Sequence, residues 1–132
     1  MPTYTLTVKQ AADLSKQLAP KLKGGELLAL SGTLGSGKTT FTQALGKLLK
    51  VKHKITSPTF TLMRQYPGRL SNGKQIHLLH LDLYRTKNFK DVKALGLTEL
   101  WQDPCTITVI EWADKIKKYL PKKAIKIEFK SL

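Results

Sequence analysis

The stretch Gly32-Thr33-Leu34-Gly35-Ser36-Gly37-Lys38-Thr39 decides the fold, because it has the spacing G-x-x-x-x-G-K-[ST]. The compact apolar run 27–30 before it predicts a strand that is covered on both faces. The apolar residues at helical spacing within 39–49 predict a helix directly after it. Such a loop aims backbone N–H groups inward at a helix N-terminus, where an anion is stabilised. We therefore expect a polyphosphate site.

Two side chains of this loop carry the chemistry of such a site. Lys38 is expected to neutralise the outer phosphates, and the Thr39 hydroxyl to help coordinate Mg²⁺. The alternative, a glycine-rich turn with a chance lysine, is disfavoured by the flanking strand and helix. The expected phosphate-contacting residues are Gly32, Leu34, Gly35, Ser36, Gly37, Lys38, Thr39 and Thr40.

Two acidic residues close apolar runs elsewhere in the chain. Asp82 follows the run 76–81 and Glu111 follows the run 107–110. If these strands lie parallel to the one before the loop, both carboxylates reach the sheet edge where ligands bind in α/β proteins. We expect both acids at the magnesium site. Two alternatives stay open: Glu111 orients an attacking water instead, or either acid is a surface side chain.

A hydroxyl-rich segment surrounds Pro58, with Ser57, Thr59 and Thr61 as its candidate functional residues. A segment in this place senses the terminal phosphate in many phosphate-loop proteins. Threonines of this kind are equally typical of an ordinary β-strand, so both interpretations stay open. His77 and His80 lack a third ligand at suitable spacing, which favours structural or exposed histidines over a metal pair.

The remaining patterns predict an α/β fold. We expect a strand at 3–7, a helix at 8–22, a hairpin of 59–66 and 75–83 with turn-prone residues at 67–68 and 71–73, and a helix at 89–100 broken near Gly96. A strand at 106–110, a helical segment at 112–120 and a half-buried edge strand at 124–129 complete the pattern. The expected architecture is a P-loop NTPase-like three-layer fold, with helices on both faces of a mostly parallel sheet with antiparallel edge strands.

Composition limits the classes of function. With 132 residues, we expect a single domain over 1–132 and no second substrate domain. One cysteine, no secretion signal and no apolar run long enough for a membrane helix favour a cytoplasmic protein. Lys plus Arg number 23 against 9 Asp plus Glu, a net charge of +14, so a non-enzymatic nucleic-acid binder is an open alternative, although lysine runs in small domains are usually solvated faces. The lysines are dense at Lys47, Lys50, Lys52 and Lys54, and at Lys115, Lys117, Lys118, Lys122, Lys123, Lys126 and Lys130.

The chain resembles the TsaE family of bacterial ATPases of tRNA threonylcarbamoyladenosine biosynthesis. The resemblance is carried, in order, by the phosphate loop with Thr40 and Phe41, by Ser-Pro-Thr-Phe-Thr-Leu at 57–62, by His-Leu-Asp-Leu-Tyr-Arg at 80–85, by Leu-Gly-Leu at 95–97 and by Ile-Glu-Trp at 110–112. It spans about residues 9–129. Thr33, Ser36 and Ala11 depart from the usual Asp, Ala and Thr of the family.

The resemblance implies a weak ATPase that binds ATP and Mg²⁺ and is stimulated by the partner proteins TsaB and TsaD. Their shared product is the modified adenosine next to the anticodon of tRNAs that read ANN codons. Lys38, Asp82 and Glu111 are then catalytic residues, Thr39, Asp82 and Glu111 the magnesium site, and Trp112 a residue of the ATP pocket or the partner surface. A small-molecule kinase stays the alternative enzyme, although only three arginines are present to clamp a second substrate.

Overall fold

The computed structural model describes residues 3–32, 37–56, 63–83 and 89–130. The elements within these ranges alternate between strand and helix over much of the chain, as an α/β fold requires. They are β1 (Thr3–Leu6), α1 (Ala11–Leu18), β2 (Leu27–Gly32), α2 (Lys38–Leu48), β3 (Met63–Arg69), β4 (Gln75–Asp82), α3 (Phe89–Ala94), α4 (Leu97–Trp101), β5 (Thr106–Glu111) and β6 (Ile125–Phe129). A 3₁₀ segment, Ala113–Tyr119, lies between β5 and β6.

The strands form one sheet in the order β1-β6-β2-β5-β4-β3. In this spatial order, the neighbouring strands β1, β6, β2, β5 and β4 are all parallel to one another. Strand β3 pairs antiparallel with β4 at one edge. At the other edge, β1 is parallel to β6. The predicted mostly parallel α/β sheet is confirmed, and the antiparallel pairing within the described strands is confined to the β3 edge.

Helices cover the sheet on both faces, which confirms the three-layer architecture. Strand alternation sends successive side chains to opposite faces, so β2, β4 and β5 each contribute to two hydrophobic clusters. One cluster joins the sheet to α1 and α2 through Leu14, Leu18, Leu28, Leu30, Phe41, Leu45, Ile76, Leu78, Ile107, Val109 and Ile127. The other joins it to α3, α4 and the 3₁₀ segment through Leu27, Ala29, Leu79, Leu81, Val92, Leu97, Ile110 and Ile116.

The predicted position of the last strand is wrong. We expected an edge strand at 124–129, but β6 lies between β1 and β2 and pairs with both. Its alternation arises because Ile127 and Phe129 pack into the core whereas Glu128, on the other face, is exposed. Alternating hydrophobicity therefore reports which face of a strand is covered, and says nothing about its neighbours in the sheet.

The hairpin is confirmed in its described part, whereas residues 59–62 of the predicted first strand lie outside the described residues. Its turn lies at the predicted 71–73 and not at Pro67 and Gly68. Strand β3 continues through both residues to Arg69, and the turn lies at 70–74, where the Leu70 N–H donates to the Lys74 carbonyl oxygen. A proline is tolerated here because β3 is an edge strand. Gly68 is required by close packing, since a Cβ atom there would lie 2.7 Å from the Leu49 carbonyl oxygen.

Two further helical predictions agree with the structure. The break near Gly96 is present, because Gly96 has a φ of +70° and separates α3 from α4. The segment 112–120 is helical, but it is 3₁₀ rather than α, and the backbone at Ile116 departs from helical geometry. Within the described ranges, none of the helices has the length and apolarity needed to cross a membrane.

Candidate phosphate-binding site

Three neighbouring parallel strands end at the same edge of the sheet and deliver the predicted site residues there. Gly32 ends β2, Glu111 ends β5 and Asp82 ends β4. Leu30 and Asp82 are both register partners of Glu111, so the three strand ends are adjacent. Helix α2 begins at the same edge, and Gly37 adopts a φ of +107° at its N-cap. The topology thus brings the two described ends of the loop, Gly32 and Gly37, together with both acids, as the sequence pattern predicted.

Lys38 is buried at this edge, with only 5% of its surface exposed. Its Nζ donates a hydrogen bond to the Gly32 carbonyl oxygen at 2.7 Å and lies 4.2 Å from the centroid of the Trp112 ring. Desolvation lowers the pKa of Lys38, and the negative charges of Glu111, Asp114 and Asp82 partly oppose this shift. A cation whose hydration has been removed in this way interacts strongly with an incoming anion.

Trp112 is the residue that turns the chain out of β5. Its φ of +60° is uncommon for a bulky side chain and costs conformational energy that the surrounding structure must offset. This left-handed residue ends the strand directly after Glu111 and begins the 3₁₀ segment. The consequence is that one strand end supplies both a carboxylate and an aromatic ring that contacts the Lys38 ammonium.

Thr39 and Glu111 meet across the boundary between α2 and β5. The Thr39 hydroxyl donates to the Glu111 carboxylate, with Oγ1 at 3.2 Å from Oε1 and 3.4 Å from Oε2. Glu111 is only 3% exposed, and its Oε2 also lies 2.5 Å from Nε2 of His80. The carboxylate therefore has partners on two sides and a defined orientation.

Asp82 completes the acidic part of the site. It is half-buried and is the register partner of Glu111, so two carboxylate-bearing residues lie side by side at adjacent strand ends. Two like charges this close repel each other, and a nearby cation relieves that repulsion. Against the larger effect of desolvation, the negative charges of Glu111 and Asp82 both act on the Lys38 ammonium and raise its pKa.

The oxygen donors at this edge suit Mg²⁺ better than a transition metal. Within the described residues, no cluster of three or more His, Cys, Asp or Glu side chains has the geometry to hold a metal ion. Mg²⁺ commonly binds through one or two protein oxygens together with substrate phosphates and water, so a threonine hydroxyl and a carboxylate are a sufficient donor set. His77 and His80 do not form a metal pair, because His77 is exposed whereas His80 is buried against Glu111.

Several predicted residues cannot be placed. Leu34, Gly35 and Ser36 of the loop lie outside the described residues, as do Ser57, Thr59 and Thr61 of the hydroxyl-rich segment. Thr40 is described and is exposed on the first turn of α2.

Two contacts of the site escaped the sequence reasoning. The contact of His80 with Glu111 has a visible signal, because His80 occupies the place of the next apolar residue in the β4 row that starts with Ile76 and Leu78. The contact of the Lys38 ammonium with the Trp112 ring has no signal in the sequence, because it depends on the left-handed backbone of Trp112.

Comparisons with known proteins indicate one family. The model of the family described as "Threonylcarbamoyl adenosine biosynthesis protein TsaE" matches residues 5–132. Two relatives are described as "tRNA threonylcarbamoyladenosine biosynthesis protein TsaE". The one from Aquifex aeolicus is 43% identical over 114 residues, covering 80% of this chain and 82% of its own. The one from Bacillus subtilis is 32% identical over 126 residues, covering 96% and 75%.

A solved structure is similar as well. The crystal structure of Bacillus subtilis YdiB superposes with a TM-score of 0.66 at 31% sequence identity. The match covers 92% of this chain and 70% of that one. The similarity therefore extends over most of this chain.

Proposed function

The chain belongs to the TsaE family of threonylcarbamoyl adenosine biosynthesis proteins, and from this premise we propose that it binds and hydrolyses ATP for tRNA modification. The observation that carries the proposal is the Thr39–Glu111 hydrogen bond next to the buried Lys38 ammonium, at the start of α2. A hydroxyl, a carboxylate and a lysine in this arrangement are the parts with which P-loop proteins hold a nucleotide and its metal.

In this proposal, the groups around the loop divide the work of binding. Lys38 leaves the Gly32 carbonyl oxygen and turns its ammonium toward the β- and γ-phosphates. The N–H groups at the start of α2, beginning with Gly37, donate to phosphate oxygens at the positive end of the helix dipole. Trp112 keeps contact with the lysine side chain and borders the ATP pocket.

Thr39, Glu111 and Asp82 would hold the magnesium ion that accompanies ATP. When bound, Mg²⁺ supplies charge neutralisation of the phosphates during phosphoryl transfer. Thr39 and Glu111 are already in contact, so these two oxygen donors need little rearrangement to face the same ligand. Asp82, on the adjacent strand end, adds a second carboxylate that can orient a water molecule.

The rest of the reaction belongs to partner proteins. The six-stranded sheet and its helices occupy most of the described residues. We propose that homologues of TsaB and TsaD supply the chemistry on the adenosine next to the anticodon of ANN-decoding tRNAs. ATP hydrolysis by this chain then supports repeated turnover of the complex.

Reconstitution tests this function. The chain is combined with the TsaB and TsaD homologues, tRNA, an activated threonylcarbamoyl donor and ATP labelled at the γ-phosphate, and a parallel reaction contains a nucleoside monophosphate as a possible phosphate acceptor. We expect slow release of inorganic phosphate by the chain alone, faster release with the partners, and modified adenosine in excess of the complex present. Transfer of the label to a nucleoside monophosphate would identify a kinase instead. Binding of RNA without any nucleotide hydrolysis would contradict both enzyme assignments.

A basic cavity supports an additional contact with tRNA. It has a volume of about 380 Å³ and lies near the C-terminal end of α2, at the opposite end of the helix from Lys38. Among the described residues, three lysines and one histidine line it and no acidic residue does. The lining residues are Gln43, Gly46, Lys47, Val51, Lys52, His53, Lys54 and Ile55. Such a surface is suited to the phosphate backbone of RNA, whether tRNA is free or held by the partner complex.

This contact predicts a steep dependence of tRNA association on salt. Replacing Lys47, Lys52 and Lys54 together by alanine is expected to weaken binding and to reduce the slope of log K against log salt by about 2. The control replaces three exposed lysines near α1, Lys9, Lys16 and Lys21, for the same change in net charge. Equal effects of the two triple variants would indicate net charge alone, and an affinity independent of salt would exclude the contact.

A further inference from the structure

His80 is a buried polar residue in a row of apolar side chains. It lies on β4 after Ile76 and Leu78, which face α2 and pack in the core, and its side chain is fully buried. Its Nε2 is 2.5 Å from Oε2 of Glu111. Its Nδ1 is buried and has no hydrogen-bond partner within the described ranges. A residue needed only to fill this space would be apolar, because burying an imidazole costs hydration that one hydrogen bond recovers only in part.

The hydrogen bond has a definite direction. A carboxylate can only accept, so Nε2 of His80 carries the proton and donates it to Glu111. The ring is fully buried on the face of β4 that packs into the core, which restricts its rotation. His80 therefore donates to Oε2, while the Thr39 hydroxyl lies nearer Oε1. The carboxylate is thus held by one hydrogen bond from β4 and one from α2.

We propose that His80 is a positioning residue that holds the Glu111 carboxylate in register with Thr39 for the metal that accompanies the nucleotide. The inference rests on the proposed function of the site. Residues that hydrogen-bond a metal-binding carboxylate fix its orientation, and their loss commonly lowers metal affinity by about 10- to 100-fold. Without His80, Oε2 of a carboxylate that is only 3% exposed loses its donor and Glu111 can turn away from Thr39.

Three substitutions separate the hydrogen bond from the space that His80 fills. His80→Gln places an amide N–H₂ near the position of Nε2 and keeps a donor for Glu111. His80→Asn is also an amide, but its shorter side chain ends near the position of Nδ1 and does not reach Glu111. His80→Leu fills the space without any donor. The comparison of Gln with Asn remains decisive even if the leucine variant folds poorly.

The readout is the Mg²⁺ dependence of nucleotide binding, measured by calorimetry on the isolated full chain with ATP in magnesium or in EDTA. We expect His80→Asn and His80→Leu to need about 10- to 100-fold more Mg²⁺ for half-maximal binding, with affinity in EDTA close to wild type. We expect His80→Gln to recover most of the wild-type requirement. Thermal unfolding of each variant without nucleotide reports the purely structural contribution.

Two results would overturn the inference. Either a wild-type Mg²⁺ requirement in the asparagine variant, or equal impairment of the glutamine and asparagine variants, would show that the hydrogen bond from Nε2 does not matter. A different result, in which the wild-type chain binds ATP equally well in magnesium and EDTA or not at all, would instead overturn the proposed function on which the inference depends.

Discussion

ATP hydrolysis by the Lys38→Ala variant is expected to fall by at least about 100-fold, both for the chain alone and in the presence of its partners. Lys38 is the buried ammonium beside the loop, and desolvation lowers its pKa because water no longer stabilises its charge. An anion in the loop restores that stabilisation, and the benefit is largest where charge develops during phosphoryl transfer. The measurement is phosphate release at saturating ATP, with nucleotide affinity determined separately.

The matched control for this variant is Lys16→Ala, which removes one exposed lysine from α1 and should hydrolyse ATP at the wild-type rate. Unchanged stimulated hydrolysis in Lys38→Ala would refute the assigned mechanism, because that mechanism rests on the ammonium that the structure places at the Gly32 carbonyl oxygen.

Stability measurements distinguish loss of binding from loss of folding. A lysine whose pKa is lower in the folded chain than in the unfolded chain destabilises the fold while it is charged. That penalty is present at neutral pH and is lost as the pH rises through the lowered pKa toward the ordinary value. The near-isosteric variant Lys38→Met should therefore unfold at pH 7 at a temperature no lower than wild type, while its ATP hydrolysis is lost.

Local patterns predicted most of the elements because each pattern reflects a local physical requirement. The apolar run before Gly32 and the stripe after Lys38 determine β2 and α2, and the φ of Gly96 explains the break between α3 and α4. The order of strands is not a local property. Strand β6 has the alternation of an edge strand, yet it lies inside the sheet because its backbone pairs with β1 and β2 while one face stays polar.

The same distinction applies to the candidate site. The motif spacing was sufficient to name Lys38, Thr39, Asp82 and Glu111, because each is fixed relative to the end of a strand or the start of a helix. Contacts between different elements depend on how these elements pack. The hydrogen bond between His80 and Glu111 joins residues 31 positions apart in the chain. The sequence signals only that His80 takes an apolar position on β4, and its partner follows from the pairing of β4 with β5.

Replacing Glu111 by glutamine is expected to lower ATP hydrolysis by at least about 100-fold while ATP binding in EDTA is retained. Glutamine keeps the size of the side chain but removes the charge that a magnesium ion would need. The glutamine amide has one acceptor oxygen and one N–H₂ donor group, whereas the Thr39 hydroxyl and His80 both donate hydrogen bonds to Glu111. In the present orientation, only one of these two hydrogen bonds can therefore be kept. The measurement is phosphate release over a range of Mg²⁺ concentrations.

That magnesium series also decides between the two roles that sequence reasoning left open for Glu111. If the carboxylate is mainly a metal ligand, excess Mg²⁺ should restore part of the hydrolysis, because the variant is limited by occupancy of the site. If it mainly orients the attacking water, hydrolysis should stay low at every Mg²⁺ concentration, since a neutral amide cannot accept the proton. Glu128→Gln, an exposed glutamate on β6, controls for the loss of one negative charge and should behave as wild type. Wild-type hydrolysis by Glu111→Gln would exclude both roles and leave Asp82, on the adjacent strand end, as the acid of the site.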